Sequence, residues 1–165
     1  MTGKSNTARW LTAGFLIFLA AALLLACRLP TISLPGKKPQ TLKLKTAQMA
    51  VKEVSTSDRF PAGCSAGPSC NVARTGYMIL TVALERADGG SMEEIKDAMW
   101  SELRPLMGSG TGHPYITGRE GNKTYMSIIS YTTSNNAFIL VFTPAQTDAL
   151  FKLTWADDQV IDLGR

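Results

Sequence analysis

The feature that most limits what this chain can fold into is an uncharged apolar run near its N-terminus. It extends from Trp10 to Ala26 and is preceded by Lys4 and Arg9. Nothing charged interrupts it to make the polar face that a helix lying on a globular core presents to water. A short positive stretch leading into such a run is the layout of an export signal, and Lys and Arg hold the leading side in the cytoplasm. The run predicts an N-terminal hydrophobic helix that delivers the chain to a membrane. The remainder is left to fold on the far side as one domain of common size.

The run ends at Leu24-Leu25-Ala26-Cys27. These four residues resemble the lipobox of bacterial lipoproteins, in which a Leu three residues before a Cys and a small residue just before it mark cleavage and lipid attachment. Leu24, Ala26 and Cys27 match, while Leu25 is bulkier than the usual occupant. The resemblance implies a lipid on Cys27. A spanning helix needs about 20 apolar residues, with a floor of about 17. The run meets that floor, and Arg28 would then stand at the outer interface. Lipid attachment, an uncleaved anchor and simple secretion are therefore three readings of residues 1–27, taken in that order. Each places the protein outside the cytoplasm, and the first two hold it at the cell membrane.

Charge divides the rest. The formal net charge is +4, but residues 1–27 carry +2, residues 28–52 carry +6 and residues 53–165 carry −4. The basic excess thus belongs to the anchor and to the segment next to it. A nucleic-acid-binding domain is basic on its own folded surface, so a nucleic-acid partner is not expected. Residues 28–40 contain Pro30, Pro35 and Pro39 and read as an extended tether. Its lysines would lie near anionic headgroups or simply in solvent.

Residues 41–165 read mainly as short strands. Tyr77–Leu84 fits period two, with Met78, Leu80, Val82 and Leu84 on one face and fairly apolar residues on the other, as in a central strand. Weaker strands are expected at 41–45 and 47–54. Residues 115–119 and 123–131 flank Glu120-Gly121-Asn122, a hairpin signal. Ala137–Phe142, Leu150–Trp155 and Val160–Leu163 complete the set. One segment differs: Met92, Ile95, Met99 and Leu103 recur at helical spacing over 91–103. Ser91 and Glu94 fit a capping box, and Pro105 and Gly108 end the helix. About seven or eight strands with turns between them predict a β-sandwich with this one helix inserted.

Three stretches together resemble the uncharacterised immunoglobulin-like domain of bacterial surface lipoproteins. They are Tyr77–Leu84, Gly118–Tyr125, and Phe138–Trp155 running on to Gly164. The resemblance covers about residues 41–165 and implies an immunoglobulin-like β-sandwich. It implies no chemistry.

Candidate chemistry is sparse. Cys64 and Cys70 flank a Gly/Pro-rich loop and, in an oxidising compartment, predict a disulfide. His113 is the only histidine, and zinc needs several convergent Cys or His ligands, so no metal and no cofactor are expected. Asp157-Asp158 reads as a solvated turn. Gly108–Gly112 comes after a helix and has no Lys-Ser or Lys-Thr ending, unlike a nucleotide loop. Gly63–Gly67 matches the letters of a nucleophile elbow but not its strand–turn–helix context. Asn122-Lys123-Thr124 fits a glycosylation acceptor and reads as the hairpin turn. No catalytic residue is assigned. The leading expectation is a non-catalytic module that binds a protein or glycan ligand or supports the envelope. Its candidate contact surface is Leu106–Pro114 with the helix beside it, and the candidate binding-loop residues are Gly108, Gly110, Thr111, His113 and Tyr115. The rivals are a subunit of an envelope export or adhesion complex, held by the anchor, and a hydrolase with Ser65 as nucleophile and His113 as base.

Overall fold

The computed structural model describes residues 40–156 and 158–164. The apolar run, Cys27, residues 28–39 of the tether, Asp157 and Arg165 lie outside them. Eleven strands and one α-helix are present among the described residues. They are β1 (Thr41–Lys43), β2 (Gln48–Ser57), β3 (Arg59–Phe60), β4 (Asn71–Val72), β5 (Ile79–Arg86), α1 (Lys96–Leu103), β6 (Tyr115–Thr117), β7 (Lys123–Tyr125), β8 (Ile128–Thr132), β9 (Ala137–Phe142), β10 (Lys152–Trp155) and β11 (Gln159–Asp162). A five-stranded sheet runs β1-β2-β5-β9-β8, a four-stranded sheet runs β11-β10-β6-β7, and β3 pairs with β4 alone. Every pairing is antiparallel. The chain is thus mainly β, in an arrangement consistent with a β-sandwich.

Alternation sets which side chains meet. In the five-stranded sheet Leu80, Val82 and Leu84 of β5 stand opposite Phe142, Leu140 and Phe138 of β9. In the four-stranded sheet Leu153 stands between Ile116 and Ile161. All these residues belong to one buried cluster, so the two sheets share a core. Directly opposed apolar pairs are the unit of sheet stabilisation, each contributing up to about 1 kcal/mol beyond burial. Strand β5 is third of five and buries Ile79 on its other face as well. This is the central position expected for it.

The expected strand over 123–131 is divided. Strand β7 lies in the four-stranded sheet and β8 in the five-stranded one. Between them Met126 is fully buried, donates its N–H to the Pro114 carbonyl and accepts from Gly108 N–H. Burying the Met126 side chain in the shared core turns the strand from one sheet to the other. A period-two pattern continues through such a crossing, so the break is invisible to it.

The helical segment begins with a 3-10 turn at Glu93–Ile95 and continues as α1. Met92, Met99 and Leu103 are buried, as their spacing predicts. The capping box does not form. Ser91 Oγ accepts from Glu93 N–H at 3.2 Å, but the Glu94 carboxylate pairs with Arg86 at 2.9 Å. A guanidinium is a stronger partner for a carboxylate than a backbone N–H, and Arg86 ends β5 within reach. Asn136 Oδ1 supplies a further cap by accepting from Met92 N–H. At the other end Glu102 accepts from Lys45 and Thr46 N–H at 2.7 and 2.8 Å, and Trp100 stands edge-on to Phe138. The helix therefore ties the β1–β2 turn to β9.

Close packing and local charge each set a measurable expectation. A Cβ on Gly118 would collide with the Asp148 carboxyl, and Asp148 is buried. Gly118→Ala is expected to cost about 1–3 kcal/mol by overpacking, read by denaturant unfolding. The Arg86 guanidinium, with Gly90 N–H as the next largest cause, holds the Asp88 carboxyl down at about 2. A carboxyl depressed by folding adds stability that is fully present above its unfolded value and is lost as pH falls toward its folded value. Melting temperature should therefore fall between pH 4 and pH 2, and Asp88→Asn should flatten that part of the profile.

Candidate functional site

The connection from β2 to β5 does not turn tightly. It folds back over the outer face of the five-stranded sheet as the β3–β4 hairpin. Its base is held by Ala73 N–H to the Asp58 carbonyl, Met78 N–H to the Pro144 carbonyl and Gln146 N–H to the Gly76 carbonyl. Its tip is closed by a Cys64–Cys70 disulfide with Cα atoms 5.7 Å apart. Arg59 Nη1 donates to the Cys64 carbonyl at 3.0 Å and ties the tip to β3. The expected disulfide is therefore present. The hairpin that carries it has no signal in the sequence, because strands of two residues are too short to show alternation.

The hairpin divides the outer face into two grooves. One, of about 420 Å³, runs between Phe60 and Pro61 on the hairpin and a floor of Ser55, Thr81, Ser130 and Thr132. Ser55 and Thr81 hydroxyls are hydrogen-bonded to each other at 2.7 Å. The other, of about 570 Å³, has Arg74 and Tyr77 on its rim and Ile79, Ile128 and Val141 in its floor. A third groove of about 480 Å³ lies between the helix and β8, lined by Trp100, Arg104 and Met107 with Ser127, Ile128 and Ile129. Volumes of this order suit small-molecule or peptide side-chain recognition.

The candidate binding loop is folded largely on itself. Gly108 takes a positive φ of 87° and donates to the Met126 carbonyl. His113 Nδ1 lies 3.2 Å from the Gly108 carbonyl, and a Cβ on Gly110 would be 2.9 Å from His113 Nε2. The imidazole is thus packed across the loop that carries it. Thr111 is exposed. Tyr115 sits on the four-stranded sheet with its ring 5.7 Å from Tyr125 and the Lys123 ammonium 4.3 Å above it. None of the five lines the three grooves described above. Met107, just before the loop, does.

Ser65 is exposed on the disulfide loop, and no hydrogen bond joins it to His113 among the described residues. Asp158 lies in the β10–β11 turn. Among the described residues no group of three His, Cys, Asp or Glu side chains is placed to hold a metal ion, and no helix is long and apolar enough to cross a membrane. Cys27 lies outside the described residues.

Of the groove residues, Met107 falls within the expected contact surface Leu106–Pro114 and Trp100 on the helix beside it, off the Met92–Ile95–Met99–Leu103 stripe, while Arg74, Tyr77 and Arg104 lie outside that expectation. They come together only because β8 changes sheets beside the helix. No family model matches the chain, and neither a curated protein nor a solved structure resembles it significantly.

The disulfide spans a sequence separation of 6, for which the loop-entropy model gives about 2 kcal/mol. Replacing both Cys64 and Cys70 by Ser should lower stability by about that amount. Amide exchange should quicken in β3 and β4 and stay unchanged in β9. Equal quickening in all three strands would show that the hairpin is not a separate unit.

Proposed function

We propose that this chain is a lipoprotein held at the extracytoplasmic face of the cell membrane by Cys27, and that its domain is a non-catalytic, immunoglobulin-like binding module. The observation that carries this reading is the Cys64–Cys70 disulfide in a domain preceded by a positive stretch, an apolar run and a Cys. Disulfides persist in oxidising compartments, and the N-terminus has the order of an export signal. Two antiparallel sheets of five and four strands around one core support the immunoglobulin-like assignment, together with the resemblance over residues 41–165. Grooves on the outer face and beside β8 support binding, since recognition residues on a rigid scaffold are a common arrangement.

A second reading has a specific feature behind it. Leu25 is bulky for a cleavage site, and Arg28 would suit the outer end of a spanning helix. In that reading residues 10–26 stay as a single-pass anchor and the chain is a subunit of an envelope export or adhesion complex.

Intact mass of the detergent-extracted protein separates the two. The expected product begins at a diacylglyceryl-modified Cys27 and has lost residues 1–26, and Cys27→Ser blocks the modification. A chain that retains Met1 and carries no lipid overturns the lipoprotein reading and supports the anchor.

A further inference from the structure

The second and third grooves share Ser127 and Ile128. They therefore form one bent depression that passes over the start of β8. Strand β8 is the last of its sheet and pairs only with β9, and an edge strand is where a further strand can add. Large apolar side chains are exposed at five positions among the described residues, and Val72, Tyr77 and Met107, three of these, line the depression. Trp100 lies beside them, half-buried.

Two cations flank this apolar strip. Arg74 is on the rim by Tyr77, and Arg104 is on the rim by Met107. Neither guanidinium has an ion pair or hydrogen bond among the described residues. Residues 53–165 carry more acidic than basic side chains, yet neither arginine pairs with a carboxylate among the described residues. Tyr, Trp, Met and Arg are the residues enriched where proteins bind proteins. The floor of Ile79, Ile128 and Val141 is apolar, the uncharged polar groups around it are Asn71, Tyr77, Ser127 and Thr143, and Ser127 Oγ already donates to the Val141 carbonyl, which favours a peptide over a neutral sugar here.

We infer that this bent groove takes an extended, acidic peptide segment of a partner protein. Arg74 and Arg104 meet carboxylates on the peptide. Tyr77 in one arm and Trp100 with Met107 in the other receive apolar side chains of the peptide. The peptide backbone lies along the free edge of β8, as in strand addition. This deepens the binding-module reading by naming the partner chemistry, and it does not depend on how Cys27 is modified.

The test is selection of a random dodecapeptide display library on the full chain in detergent micelles, then anisotropy titration of the enriched peptide. Enriched sequences should place Asp or Glu on either side of large apolar residues. Arg74→Glu and Arg104→Glu should each weaken binding at least tenfold while leaving the melting temperature unchanged. Replacing the peptide's acids by Lys should restore affinity for those variants. Tyr77→Ala should also weaken binding. A library that yields no consensus or a basic one overturns the inference. So does a peptide indifferent to all three substitutions. A glycan-array ligand lost on the same substitutions, with no peptide enriched, assigns the groove to a sugar and also overturns it. Failure here leaves the mass of the mature N-terminus untouched, so the two proposals fail separately.

Discussion

The pairing of β5 with β9 is the constraint on which the other contacts depend. Leu80, Val82 and Leu84 face Phe142, Leu140 and Phe138 across it, and all six are fully buried. Ile79 and Val141 bury the opposite face of the same two strands. A ribbon buried on both sides fixes register strongly, because a slip by one residue exchanges its two faces. Strands β2 and β8 then add to its flanks, and the four-stranded sheet closes over its inner side. The helix reaches the same ribbon through Trp100 on Phe138.

Burial of the outer face has a consequence for recognition. The β3–β4 hairpin lies over the outer side of the five-stranded sheet, where a two-sheet sandwich ordinarily meets water. The apolar outer residues of β5 and β9 are thereby covered, and a groove is left on each side of the hairpin. The disulfide and Arg59 stiffen the tip. A short, cross-linked hairpin would give the proposed binding groove a wall that loses little freedom when a ligand arrives.

Four of the five ion pairs among the described residues join side chains close in sequence, and the fifth joins Lys52 of β2 to Glu85 of β5. Arg86 gathers Asp88, Glu94 and the Ser91 carbonyl, while Lys96, Glu93 and Tyr131 form a second group. Exposed pairs of this kind contribute little each, but both groups hold the entry to the helix against β5 and β8. Arg74 and Arg104 stand outside these groups and have no ion pair among the described residues.

The sequence by itself determined the strands that alternate over five or more residues, the helical stripe at Met92, Met99 and Leu103, the hairpin at Glu120–Asn122 and the disulfide. Each depends on local periodicity, local turn chemistry or a single cysteine pair, and local geometry is encoded locally. Tertiary structure decided the rest. Met126 sends β7 and β8 to different sheets because its side chain is drawn into the shared core. Glu94 leaves its expected cap because Arg86 stands across the turn. Arg74, Tyr77, Trp100, Arg104 and Met107 come from two distant segments and meet only once β8 lies beside the helix. His113, conspicuous in the sequence with the glycines around it, packs against Gly108 and Gly110 of its own loop. A groove is assembled by long-range packing, and no periodicity along the chain reports which segments packing will bring together.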